Sequence, residues 1–195
     1  THVVQTVMLD HVFVNPVVIA QSPTFNEGEP AIVRISNVTA TSFDIQIVEP
    51  TRIDRTTGDG DNPVDNDPIG PGSLLNNGTH IAETVSFIVM EAGTHVLENG
   101  TRIEVGTIVT DNTTDSGGYV THDLGANFAG TPAILTQIQT INGTTVNSSN
   151  PGNGTPSLFV KTRTRNTSGD SFQVTMEMEE RFTGSMPTAE TIGYI

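Results

Sequence analysis

The chain has 195 residues, of which 34% are apolar and 5% aromatic, with no cysteine and no tryptophan. Twenty-two acidic against 8 basic side chains give a formal charge of −14, which repels phosphate backbones and anionic lipid and argues against nucleic-acid and membrane-surface partners. The lack of cysteine removes disulfides, zinc–thiolate sites and cysteine nucleophiles, and no stretch approaches the ~18 apolar residues of a membrane-inserted span.

In chain order, strands are predicted near Val3–Leu9, Pro16–Gln21, Ala31–Ser36, Ser42–Glu49 and Glu83–Glu91, then a hairpin over Thr94–Thr107. Pro16–Ala20 carries apolar residues on both faces, which predicts a central or covered strand. Phe43, Ile45 and Ile47 alternate with Asp44 and Gln46, the period-two pattern of a strand with one face in a core. Asn99-Gly100 between two alternating segments reads as a type I′ hairpin. No signal peptide is visible, so any secretory signal is expected to have been removed.

The second half then repeats the first. Asn15–Asn26 aligns with Thr131–Asn142 at an offset of 116, Arg34–Ile47 with Arg163–Met176 at 129, and Ala82–Ile88 with Ala189–Ile195 at 107. Collinear blocks with changing offsets mean one unit duplicated, with insertions between the blocks. The long insertions are 51–79 in copy one, rich in acids, and 143–157 in copy two; polar Gly/Pro stretches of this kind belong on the surface. The expected fold is all-β, two tandem antiparallel β-sandwiches of about six strands each with no significant helix. The first is assigned to residues 1–110 with the acidic loop 51–79, the second to 111–195. Copy one continues beyond its last block into a hairpin and copy two ends at Ile195, which predicts an incomplete pattern there: a longer repeat array, or an edge supplied by a neighbouring chain.

Several groups of residues carry candidate chemistry. Asp59, Asp61, Asp65 and Asp67 gather carboxylates in one Gly/Pro-rich loop. Such ligands suit Ca²⁺, which takes roughly six to eight oxygens; a solvated acidic loop is the alternative. Pro63 and Val64 depart from the EF-hand spacing. Lys161, Arg163 and Arg165 share one strand face opposite Glu177 and Glu179, a salt ladder or else a sugar- or anion-binding face. Arg34 and Arg163 occupy the same repeat position, as do Glu83-Thr84 and Glu190-Thr191, so these read first as structural, with a ligand contact by Arg34 and Arg163 as the other reading. His2, His11, His80, His95 and His122 show no metal-ligand spacing, and no nucleophile elbow or phosphate-cradling loop is present, so no enzyme is expected. Eight Asn-X-Ser/Thr sequons stand at Asn37, Asn77, Asn99, Asn112, Asn142, Asn147, Asn153 and Asn166. They are acceptors for N-glycosylation, although Asn-Gly-Thr also makes hairpin turns.

The succession Asn15-Pro16-Val17-Val18, Val33-Arg34-Ile35, Asn37-Val38-Thr39 with Phe43, then Glu83-Thr84-Val85-Ser86-Phe87 resembles the H-type lectin domain. That family includes the snail agglutinins and the C-terminal domain of discoidins, and is similar to repeats in large secreted bacterial proteins. The resemblance implies a six-stranded antiparallel sandwich, often trimeric, that binds N-acetylgalactosamine-type sugars in grooves between subunits. The Trp-His pair with which snail lectins touch the sugar falls here on Pro50-Thr51 and Glu179-Glu180, and a binding Arg falls on Pro30 and Phe159. Only the strand Arg is kept, as Arg34 and Arg163, so galactosamine specificity is not inherited.

The resulting expectation is a non-enzymatic extracellular or cell-surface module for adhesion or glycan recognition, with glycans or other copies of itself as partners in a homo-oligomer or polymer. The alternative is a structural subunit of an extracellular filament or surface array joined through sheet edges. Ca²⁺ is the one cofactor the sequence suggests.

Overall fold

The computed structural model describes residues 3–26, 30–50, 52–53, 74–75, 82–125, 128–144, 158–179 and 183–195. The strands run β1 (Gln5–Met8), β2 (Pro16–Ala20), β3 (Ile32–Ser36), β4 (Ser42–Val48), β5 (Arg52–Ile53) and β6 (Leu74–Leu75). They continue as β7 (Phe87–Glu91), β8 (Gly93–Val96), β9 (Arg102–Thr110) and β10 (Val120–Asp123). The last four are β11 (Thr136–Ile138), β12 (Val160–Arg165), β13 (Ser171–Met178) and β14 (Glu190–Tyr194). Every ladder is antiparallel, and no helix occurs among the described residues. The fold is all-β, as the period-two alternation requires.

The first sandwich sets the sheet β1-β4-β3 against the pair β2-β7. Val18, Val33, Ile35 and Phe43 fill it, with Val85 and Val89 packed alongside. The second sets β10-β13-β12 against β11-β14-β9-β8, around Phe172, Val174, Met176, Ile138 and Ile192. Phe43 and Phe172, at the same repeat position, are each 0% exposed. Truncating a buried Phe to Ala typically costs about 3–5 kcal/mol, so each anchors its own core.

The duplication is visible atom by atom. Phe43 meets Phe87 edge-on at 5.0 Å, and Phe172 meets Tyr194 at 5.5 Å. In copy one the Glu83 carboxylate accepts from the Thr24 hydroxyl and, at 2.8 Å, from the Asn26 amide, while Asn26 Nδ2 donates to Ala82 O. In copy two Glu190 accepts from Thr140 Oγ1 and from Asn142 N at 2.8 Å, while Asn142 Nδ2 donates to Ala189 O. This clasp locks the loop after β2 or β11 onto the segment that opens β7 or β14. The β3–β4 and β12–β13 turns also match: Asn37 and Asn166 hold φ of 48° and 50°. Thr39 and Ser168 then bond the backbone of Ser42 and Ser171. Asn tolerates the left-handed region better than most residues, and Ser/Thr hydroxyls close such turns.

Three features differ from the sequence expectations. The hairpin at Asn99-Gly100 is not type I′. Gly100 N donates to Leu97 O and Leu97 N to Thr101 O, with only Gly100 left-handed at φ 83°. That is the three-residue loop in which one left-handed glycine suffices. Second, the sequence places β9 with residues 1–110 in the first sandwich, but its C-terminal half pairs with β14 of the second, Glu190↔Thr110 through Tyr194↔Gly106. Third, β14 is therefore an interior strand between β11 and β9, not an unprotected edge.

The two sandwiches share an interface through β2. Val18 and Ala20 point into the first core, while Val17 and Ile19 pack with Val105, Ile103, Met90 and Ile195. Both faces are covered, which is why this strand is apolar on both. Across the interface, Gln139 accepts from Val18 N at 3.1 Å and donates back to Val18 O, and Gln137 Nε2 donates to Val33 O at 3.2 Å. At Gly193 a methyl group would sit 2.7 Å from Val17 Cγ1, so glycine permits the close approach of β14 to β2.

Candidate functional site

A cleft opens between the two copies, and the loop that the Glu190 clasp holds forms one of its walls. Its volume is about 660 Å³, within the range of small-ligand sites. Copy one contributes the entry to β2 (Val14–Val17) and the β3–β4 turn from Ser36 to Ala40. Copy two contributes Gln139–Asn142, Thr107 of β9 and Thr191 of β14. Among the described residues no charged side chain lines it. Its polar surface consists of amides and hydroxyls, and Val14, Val38 and Ile141 supply the apolar share.

The walls are fixed from behind. Arg34 Nη2 donates to Thr140 O at 2.8 Å and Nη1 to Val160 O at 3.3 Å. Thr140 Oγ1 is held by Glu190, which also accepts from Gly143 N at 2.7 Å. The Thr6 hydroxyl, and then Asn37 Nδ2 at 2.7 Å, donate to Asp44 and hold its carboxyl below the ordinary pKa. By contrast, the side chains of Asn15, Ser36, Thr107 and Thr191 line the cleft without a hydrogen-bond partner among the described residues. They are free to meet a ligand on a surface that needs no ordering.

Of the residues singled out from sequence, Asn37 and Asn142 line the cleft, and the charged ones among the described residues lie elsewhere. Arg34 is 1% exposed, inside the interface; burial pushes its pKa down to about 10, with the Glu190 charge opposing. It cannot touch an external ligand and acts behind the cleft wall. Lys161 and Arg163 both reach Glu177, at 3.0 and 3.1 Å. Arg165 donates to Gln173 at 2.9 Å and stacks over Tyr119 at 3.7 Å. These three occupy a water-facing strand surface outside the cleft. Asp59, Asp61, Asp65 and Asp67 lie outside the described residues, as do Asn77, Asn147 and Asn153. Among the described residues no cluster of His, Asp and Glu could hold a metal.

Of the remaining sequon residues, Asn37, Asn142 and Asn166 serve the turns and clasps, and Asn37 and Asn142 also line the cleft. Asn99 Oδ1 accepts from Thr101 N, and Asn112 Nδ2 donates to Gly117 O. The cleft residues Asn15, Ser36, Thr107 and Thr191 were not singled out, because neither copy contains the cleft by itself. In copy two alone, Thr140-Ile141-Asn142 and Thr191 of the repeated elements reach its wall.

A second cluster belongs to copy two alone. Tyr194 Oη donates to Glu104 at 3.1 Å and lies 2.9 Å from His122 Nε2. Burial, the Glu104 charge and its hydrogen bond raise the Tyr194 pKa to about 12. Burial lowers that of His122 against the opposing pull of Glu104 and Asp123.

The class defined by this fold is a tandem antiparallel β-sandwich protein with a cleft between its repeats whose described lining is amides, hydroxyls and small apolar groups. No family model and no solved structure matches the chain. Halomucin of Haloquadratum walsbyi is 30% identical over 203 residues, an alignment that takes in 98% of this chain. The chain spans about 2% of the length of that relative.

Proposed function

We propose that the protein is a recognition module of an extracellular or cell-surface protein, and that it binds neutral glycans in the cleft between its two sandwiches. The observation that carries this reading is the lining itself: amides and hydroxyls beside small apolar patches, with no charge among the described residues. A neutral polyhydroxyl ligand can exchange its water hydrogen bonds for those of Asn15, Ser36, Thr107 and Thr191, and no ionic group is left desolvated. The −14 charge of the chain disfavours uronates and sulfated sugars. Binding rather than catalysis suits the cleft, because its described lining offers amides and hydroxyls and, among the described residues, no carboxylate or imidazole to act as acid or base. The extracellular assignment draws on the similarity to a protein named as a mucin. The resemblance to H-type lectins supports the ligand class, with a different constellation of contacts.

The test is a glycan array probed with the intact chain, followed by titration of the best neutral ligand against Asn15→Ala and Thr107→Val. Each variant should weaken binding about tenfold, the loss of one to two hydrogen bonds, with the melting temperature unchanged. Retention of only acidic glycans, or full affinity in both variants, would refute the assignment.

A further inference from the structure

The two copies differ at one sheet edge. In the second sandwich β14 lies between β11 and β9. Leu135 and Ile195 exchange both backbone hydrogen bonds at 3.0 Å, so Thr191 and Gly193 turn their amides toward β11. Glu190, Ile192 and Tyr194 turn theirs toward β9, with Ile192 opposite Ile108 and Tyr194 opposite Gly106.

The corresponding residues of the first sandwich are Val85 for Ile192 and Phe87 for Tyr194. Gln21 N donates to Ser86 O at 2.8 Å and Ala92 N to Asn15 O at 2.9 Å, so Ser86, Ile88 and Met90 face β2. The amides and carbonyls of Val85, Phe87 and Val89 then point to the other side. Among the described residues no strand pairs there. The side chains register the same difference: Tyr194 is 5% exposed, whereas Phe87 is 44% and Ile88 46% exposed.

We propose that this edge of β7 is a docking site for a β9-type strand from a neighbouring repeat of the same kind. The strand runs antiparallel to β7, with its glycine opposite Phe87 and its equivalent of Ile108 opposite Val85. The occupant is specified by the molecule's own second copy, where that strand already fills the same edge and covers the same aromatic position. Main-chain bonds of β-augmentation supply the affinity and alternate side chains the register. An apolar free edge is a template for such pairing. Repeats joined in this way continue one sheet into the next.

The test adds a peptide with the sequence of Arg102–Thr110 to the intact protein. Saturable binding is expected, with amide hydrogen exchange at Val85, Phe87 and Val89 slowed about tenfold or more. A control peptide N-methylated at Ile108, whose amide faces β14 in the second sandwich, should bind about tenfold more weakly or worse. Equal binding of both peptides, protection confined to another edge, or no protection at all would overturn the proposal. So would protection of these amides that depends on protein concentration without peptide, since β7 would then be pairing with β7 of a second copy.

Discussion

Arg34 and Arg163 show how far one repeat position can diverge. Both sit on alternating strands and follow the same sequence logic, yet Arg34 is 1% exposed and Arg163 stands in water against Glu177. Arg34→Met would leave Thr140 O and Val160 O without their donor, at a cost of about 1–3 kcal/mol in urea unfolding. Arg163→Met should cost under about 1 kcal/mol, the usual worth of an exposed pair. Equal effects would contradict the assigned burial. The difference could not be read from sequence, because nothing within a copy marks which arginine will meet the other copy.

The Glu104–Tyr194–His122 group gives a pH signature at the same scale. His122 has a lowered pKa in the folded chain, so below the unfolded value near pH 6.5 the unfolded state takes up the proton first and stability falls with pH. Tyr194 has its pKa raised to about 12. Above the unfolded value near pH 10 the unfolded state loses its proton first, so stability falls as pH rises from about 10 to 12. Tyr194→Phe should flatten the alkaline limb of a stability–pH curve, and His122→Gln the acid limb. An unchanged alkaline limb in Tyr194→Phe would assign that slope to other groups.

At the scale of elements, the repeated Glu-Thr pairs, read as structural, turn out to close a clasp whose Thr-x-Asn half the sequence did not single out. The Glu-Thr of each third block and the Thr-x-Asn of each first block recur because they bond each other. Their environments differ: Glu190 is 0% exposed and holds three donors, whereas Glu83 is part-exposed. Glu190→Ala should therefore destabilise by about 2–4 kcal/mol and Glu83→Ala by about 1 kcal/mol, measured by chemical denaturation. The reverse order would mean that the loop, not the carboxylate, holds the clasp. The alternation of Phe43 with polar neighbours likewise located β4, and the repeat alignment carried it to β13. What sequence missed was the allegiance of β9. The register of a hairpin is local, but which sheet receives it depends on a strand some eighty positions away, and β9 has apolar residues for either side: Ile103 and Val105 face copy one, Ile108 the second core.

For the molecule as a whole, the cleft and the interface follow from the same contacts. Val17, Ile19 and the Gln139 bridge tie β2 to copy two, so the sandwiches should unfold in one calorimetric transition rather than two. Gly193→Val places bulk where Val17 and Gln139 already lie. It should lower that transition by more than 1 kcal/mol, about 2–4 °C per kcal/mol for a chain of this length. Two separate transitions in the unaltered protein would show that the sandwiches are independent.

The burial of β2 on both sides also bears on how the gene can drift. In β12 the outward positions Lys161, Arg163 and Arg165 can change while the core stays intact. In β2 every one of Val17, Val18 and Ile19 answers to one apolar environment or the other. A saturation-mutagenesis map should therefore show a solid block of intolerance over these three residues, where ordinary strands show stripes. Duplication gave the chain two copies of each strand, but at β2 it removed the freedom that redundancy normally brings.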